Sequence, residues 1–416
     1  MMQQKIAIIG GGASGLMAAI TAAEAGAEVT IFEHVKPGKK ILSTGNGKCN
    51  LTNLDFGMRN YNSSACEKLE GYFKQFSVED TLSFFKRIGM MLRDKNGYVY
   101  PYNEQATMVL QILMNRINQL GIKIITEHAC HIGNVNNDKP GKRVWLQTEA
   151  DKQYYFDSII MTCGSKAAPK TGSDGSGYGM AKELGHKLIP VLPSLVQLRC
   201  KDVFCKDLAG IRTQASIHIL DEMEELTKEE GELQLTDYGI SGIPVFQLSG
   251  LVNRYLYENK NASLTAKIDF MPDVKIDELE SFMKKRMALC ANMSVNELIC
   301  GTLNQKLCKV ILKIVGVRED TKVKNLASEM VTEILYLFKN FTFHINGSNG
   351  FEQAQVCCGG VDLNEVTEQL ESIYVPNIYF AGEILDVDGR CGGYNLQWAW
   401  TSGYIAGLSA AKNWKM

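Results

Sequence analysis

The chain has 416 residues, room for two or three domains, and its 45% apolar and 22% charged residues are those of an ordinary globular protein. Lys and Arg number 44 against 46 Asp and Glu, a net charge of -2, which gives no reason to expect a nucleic-acid partner. No charged and then apolar leader opens the chain, and no stretch approaches the roughly 18 apolar residues of a membrane span. A cytoplasmic protein with no membrane partner is therefore expected.

In chain order, Lys5–Ile9 (KIAII) is a short apolar run ahead of glycines, as in a buried parallel strand. It opens onto Gly10-Gly11-Gly12-Ala13-Ser14-Gly15, a G-x-G-x-x-G turn. Gly10 permits the tight turn, Gly12 lets a pyrophosphate approach the backbone, and Gly15 lets the next helix lie close to the strand. The first amides of that helix, from Ala13 and Ser14, point at the phosphates. A second strand ends at Glu33, 23 residues beyond Gly10. A carboxylate there accepts both hydroxyls of an adenosine ribose and repels a 2′-phosphate. This pattern specifies a dinucleotide and leaves NAD and FAD undecided.

Lys36–Asn53 (KPGKKILSTGNGKCNLTN) carries Gly38, Gly45 and Gly47 among amide and hydroxyl side chains, the composition of a loop that wraps a polar group. A second such loop so soon after the ribose acid favours FAD, the longer cofactor. His128 and His131 are the one close histidine pair, and no further ligands stand at metal spacing, so no metal site is expected. Thr162–His186 holds Gly172, Gly175 and Gly177, yet about eight loop residues separate Gly172 from the strand that ends at Gly164. It reads as a loop opening a helix, and no separate NAD(P)H domain is evident.

From about Pro193 to Ile345, "ASIHIL", "GELQLTDYG" and "ASLTAKIDF" alternate like antiparallel strands, whereas Asp277–Gly316 and Val323–Asn340 have helical periodicity. The acidic "EMEELTKEEGE" reads as a solvated hairpin tip. The twelve cysteines contain no C-x-x-C, and reduced thiols are expected. Near the end, "PNIYFAGE" is an apolar strand followed by Asp386, Asp388 and Gly392-Gly393-Tyr394-Asn395. Asn395 is placed to cap a helix from about Leu396. Ala399, Gly403, Gly407 and Ala411 make a small ridge on that helix, matching the small face of the first one, so the two chain ends are expected to meet.

Gly38–Asn53 resembles the G-[RK]-K-[IL]-x-x-[ST]-G-x-G-[RK]-C-N-x-[ST]-N segment of the BaiN and aminoacetone oxidase-like family of bacterial NAD(P)/FAD-dependent oxidoreductases. "TDYGISGIPVFQLS" is similar to its G-I-S-G-P segment, with Ile243 inserted before Pro244. Tyr379–Gly407 looks like its G-E-x-x-D-x-D-G-x-x-G-G-Y-N-L-Q signature. The resemblance spans essentially the whole chain, with Lys48 where the family more often has Arg. Thr162–His186 also resembles segments of succinate dehydrogenase- and fumarate reductase-type flavoproteins, placing Gly164 near the cofactor.

The resemblance implies an α/β fold: a Rossmann-type FAD-binding domain (1–193 and 346–416), an inserted β-barrel-like substrate domain (194–270 and 335–345) and a small helical insertion (271–334). It implies that the first turn grips the FAD diphosphate. Lys40, Asn46, Gly47, Lys48, Cys49 and Asn50, together with Gly382, Glu383, Asp388, Gly392, Gly393, Tyr394, Asn395 and Leu396, would then surround the rest. Amides of the second turn near the flavin N1 and O2 favour negative charge there. The activity implied is hydride transfer between flavin N5 and a small-molecule substrate. The leading form is reduction of an activated C=C bond, as in a 3-oxo bile acid, with NAD(P)H as a transient donor. An oxygen-dependent amine oxidase and a non-catalytic flavin redox sensor are the alternatives. An RNA-modifying flavoprotein is disfavoured by the charge balance. No catalytic acid or base is assignable.

Overall fold

The computed structural model describes residues 3–135 and 143–412, in two compact units: Met1–Pro193 with Phe351–Met416, and Ser194–Gly350. In the first, parallel strands run in the order Ile378–Phe380, Ser158–Met161, Lys5–Ile9, Glu28–Phe32, Lys123–Ile125. Ile6, Ala7, Ile8 and Ile9 are all buried, so the opening strand is covered on both faces, which is why its sequence lacks alternation. The chain leaves this strand toward Glu28–Phe32 on one side and returns as Ser158–Met161 on the other. That reversal opens a crevice beyond the strands' C-terminal ends.

The helix Ala13–Glu24 packs against the last helix, Tyr394–Lys412, as the two small faces predict. A Cβ on Gly403 would lie 2.5 Å from the Ser14 carbonyl oxygen, and one on Gly407 2.5 Å from that of Ala18. Only glycine lets the backbones approach this closely.

The second unit contains, among the described residues, a closed barrel of Leu198–Cys200, Gly239–Ser241, Glu224–Thr236, Arg212–Asp221, Leu264–Asp269 and Phe341–Ser348. Helices Ile276–Leu289, Val295–Ile299, Gln305–Val315 and Ser328–Lys339 lie between the last two strands. Their buried side chains, among them Leu279, Leu298, Ile311 and Phe338, belong to one continuous core with barrel residues such as Ile268 and Phe341. The helices thus form no unit of their own.

Three expected features shift. The boundary at 335 cuts the helix Ser328–Lys339, and the return at 346 falls inside the strand Phe341–Ser348; the first unit resumes at Phe351. The helical periodicity of Val323–Asn340 already runs through 335 to the polar pair Lys339-Asn340, where the helix gives way to the strand, so the boundary divided an element that the pattern keeps whole. The acidic stretch supplies most of a strand rather than only a tip, with Lys228 opposite His218 and Glu230 opposite Ser216. Its half-buried positions alternate with its exposed acids.

Candidate functional site

The first glycine turn is braced from behind. Gly10 has φ +100°, and its N–H donates to the Phe32 carbonyl at 2.8 Å. A Cβ on Gly15 would lie 2.7 Å from Thr162 Oγ1 and closer still to the Gly10 carbonyl oxygen. The Thr162 hydroxyl faces the carbonyls of Ile9 and Gly10, at 2.8 and 2.7 Å. Gly12 differs: a Cβ there would meet nothing within 4 Å. The helix that follows has no side-chain cap and no acid in its first turn, which leaves amides of its first turn for an anion. Glu33 is 8% exposed, with Oε2 accepting from Gly11 N–H at 2.8 Å and Oε1 from Val35 N–H at 3.0 Å. Each oxygen keeps a lone pair for a ribose hydroxyl.

The second glycine loop is held in left-handed backbone. Gly45, Asn46, Gly47 and Cys49 have φ of 56, 54, 83 and 57°. Gly38 N–H donates to the Gly11 carbonyl at 2.8 Å, tying this loop to the first. Lys40 Nζ lies 2.7 Å from Glu383 Oε2, which also accepts from the Ser165 hydroxyl at 2.9 Å. Loops after three different strands thus meet at one carboxylate. Gly164, with φ +72°, packs on Ser173, whose hydroxyl would lie 2.6 Å from a Cβ there.

Lys48 Nζ lies 3.1 Å from Glu104 Oε2, and Arg93 and Lys95 bind the other carboxylate oxygen. Hydrogen bonds from Lys95 and Lys48 hold the Glu104 carboxyl down at about 2, against an ordinary value of 4.5. A depressed folded value stabilises above pH 4.5, and that stability is lost as pH falls through about 2. Glu104→Gln is expected to flatten the acid limb of the melting-temperature profile over that window. Superimposable limbs for the two proteins would show that the cluster does not hold the carboxylate ionised.

The tail closes the crevice. Gly382, with φ +81°, packs on the Ser14 side chain, and its N–H donates to the Ser402 hydroxyl at 2.9 Å. A Cβ on Gly393 would lie 2.7 Å from the Thr52 carbonyl carbon, and one on Gly392 2.8 Å from Tyr98 Cε1. Buried Asp388 pairs in a short ladder with Asn62, and the Tyr394 hydroxyl donates to the Asp55 carbonyl at 2.9 Å. Asn395 is not the cap: the helix already includes Tyr394, and the Asn395 amide clamps Gly389, accepting from its N–H at 2.8 Å and donating to its carbonyl at 2.7 Å. Leu396, half-buried, packs in the same helical turn.

Sequence reasoning missed Thr162, Ser165, Glu104 and Ser402, whose roles depend on partners far along the chain. It also passed over Gln397, although this residue stands inside the quoted signature. The Thr52 hydroxyl donates to Gln397 Oε1 at 2.6 Å, locking the tail helix to the second loop. The histidine pair does not converge as a pair: His131 bonds Glu183 and His128 bonds Glu149. Folding instead brings His34 and Asp174, and separately Cys130 and Glu149, to His128, with ligand atoms within 4.8 Å of one another. Cys49, Cys163 and Cys391 are each pushed up to about 12, mainly by burial, so they are thiols at neutral pH.

The residues fit FAD on structural grounds. The crevice has open space at Gly12, amides without a capping side chain and a ribose-competent Glu33. The buried Asn50 Oδ1 has no hydrogen-bond partner within the protein, an orphan that a bound group would satisfy. No helix of the described residues is long and apolar enough to cross a membrane.

Comparison with known proteins agrees. The chain is 38% identical to the 3-dehydro-bile acid delta(4,6)-reductase of Clostridium scindens, covering 98% of this chain and 99% of the relative. It is 29% identical to the ribosomal RNA dihydrouridine synthase of Haemophilus influenzae, over 97% and 98%. The fold matches 3-ketosteroid delta1-dehydrogenase from Sterolibacterium denitrificans with TM-score 0.50 at 10% identity, over 99% of this chain and 100% of that one. Residues 4–409 match the HI0933-like protein Rossmann domain model, so the chain belongs to the HI0933-like family and is an FAD-dependent oxidoreductase.

Proposed function

We propose that the protein reduces a carbon–carbon double bond conjugated to a carbonyl, with NAD(P)H as electron donor and a 3-oxo bile acid or similar small enone as substrate. The observation that carries this reading is the 38% identity, over nearly the full length of both chains, to a relative named for reducing such a bile acid. Bound flavin supplies a two-electron hydride acceptor and donor at N5. Reduction adds a hydride to the β-carbon and a proton to the α-carbon. The chain's part is to hold the diphosphate at the amides after Gly12, the ribose at Glu33 and the ring beside Gly392 and Gly393. The twelve cysteines, several of them exposed or half-buried, suit a reducing cytoplasm.

Anaerobic stopped-flow mixing tests the reading. NADH or NADPH is expected to bleach the oxidised-flavin band, and a 3-oxo-4-ene steroid to restore it. No bleaching by either nucleotide would overturn the proposal, and bleaching by a primary amine would move it to amine oxidation. Bleaching without restoration by any conjugated alkene would favour a sensor.

A second reading keeps the chemistry and changes the substrate. The ring double bond of uridine is also conjugated to a carbonyl, and the 29% identity to an enzyme named for making dihydrouridine in ribosomal RNA favours it. Mass spectrometry of ribosomal RNA from cells with and without the gene distinguishes the two. Loss of a dihydrouridine is expected under this reading alone.

A further inference from the structure

We propose that the outer face of the antiparallel sheet Thr52–Asn53, Tyr98–Pro101, Leu92–Lys95 binds single-stranded RNA, its tyrosines stacking on bases and its cations holding phosphates. The proposal rests on the RNA reading above and names the surface that would serve it.

Burial alternates along this hairpin. Tyr98 and Tyr102 are 40% and 53% exposed and Tyr100 is half-buried, whereas Val99 and Pro101 between them are buried. The pleat therefore turns all three phenols outward, at about 6.8 Å per two-residue step. Across the ladder Arg93 stands opposite Tyr100 and Lys95 opposite Tyr98, so the cations share that face. The Arg93 guanidinium lies 4.2 Å from the Tyr102 ring centre. Lys48 joins through Glu104, so three cations share one carboxylate and leave positive charge in excess. Of the nearby acids, Asp94 is turned to the Gly97 N–H at 2.7 Å and Asp55 is paired with Arg59 at 2.7 Å.

Aromatic rings interleaved with cations are the composition of a surface that tracks a nucleic-acid strand without reading its sequence. A bile acid has no planar base to stack and no phosphate. A dinucleotide donor has one diphosphate, whereas this face repeats ring and cation along its length. The face also reaches the candidate flavin site, because Tyr98 Cε1 is the nearest atom to a Cβ built on Gly392. A strand stacked here would present its next base at the turn expected to hold the flavin ring. The near-zero net charge of the whole chain does not oppose this, since the excess is local to one sheet.

Fluorescence anisotropy of a labelled single-stranded RNA oligonucleotide with the FAD-loaded protein tests the surface. Tyr102→Ala is expected to weaken binding by about fivefold or more, and Tyr102→Phe to retain it. Lys95→Gln is expected to reduce the slope of log K against log salt by about 0.7. Tyr102→Ala should leave flavin content and NAD(P)H bleaching unchanged. Undetectable RNA binding, or binding indifferent to both Tyr102→Ala and Lys95→Gln, would overturn the proposal. So would a weakened NADPH response in Tyr102→Ala with RNA binding intact, which would assign the face to the dinucleotide. RNA binding lost in these variants while ribosomal RNA carries no dihydrouridine made by this protein would uphold the surface and defeat the second reading of function.

Discussion

Gly15→Val is expected to purify without FAD. The Cβ of any residue at this position would lie 2.7 Å from Thr162 Oγ1 and closer to the Gly10 carbonyl oxygen, both beneath the turn proposed to hold the diphosphate. A carbonyl of the turn's own backbone cannot rotate away as a flexible side-chain end can. Relief must come from lifting the helix off the strand, which displaces the amides of Ala13 and Ser14 together. Overpacking alone costs about 1–3 kcal/mol, and the greater effect is on the cofactor, whose phosphate donors lose their common aim. The measurement is the ratio of flavin to protein absorbance after purification. A yellow, stoichiometrically loaded Gly15→Val protein would defeat this account of the turn. Gly71→Ala is the control: the helical site has nothing within 4 Å of the added Cβ. It should keep full flavin and gain about 0.5–1 kcal/mol of stability.

Gly403→Leu is expected to lower the melting temperature most. Its Cβ would lie 2.5 Å from the Ser14 carbonyl oxygen and 3.1 Å from Met17 Cβ, on the seam where first and last helices touch. A further three carbons have no space, and both helices are buried along this seam from Ser14 to Thr21 and from Trp398 to Gly403. At about 3 kcal/mol of overpacking, a unit of this size should melt about 6–12 °C lower. Calorimetry of the apo and loaded proteins separates lost packing from lost cofactor, because packing damage appears in both. An unchanged melting temperature in the apo protein would mean that the helices do not meet through Gly403.

The legibility of the site followed a simple division. Gly10, Gly12, Gly15 and Glu33 were readable because each acts within one strand–turn–helix unit, where spacing translates directly into geometry. The small ridge at Gly403 and Gly407 was readable for a similar reason, since a row of residues without side chains has few other uses in a helix. Asn395 was misread as a cap because the chemistry of an amide beside a helix start is the same whether it serves its own helix or the strand before it. Only the position of Gly389, returned by the ladder with Tyr61 and Asn62, decided between them.

Other features had no local trace. Thr162 braces a turn about 150 residues earlier in the chain, and Glu104 gathers Lys48 from the second glycine loop and Arg93 and Lys95 from one strand. His34 and Asp174 reach His128 only across the folded sheet. The helical insertion was implied by the family resemblance and by helical periodicity; that its buried side chains join one core with the barrel's had no trace in either.

The sequence by itself determined a dinucleotide-type strand–turn–helix and the meeting of the first and last helices, and its resemblance to a flavoprotein family selected FAD. The first two depend on short-range spacing or on side chains reduced to hydrogen. The tertiary structure alone decided where the barrel ends, which acids are spent on internal pairs, and that the hairpin's tyrosines and cations face outward together. Those outcomes depend on cross-strand register and on which distant groups compete for the same partner, and neither quantity is encoded in any one segment.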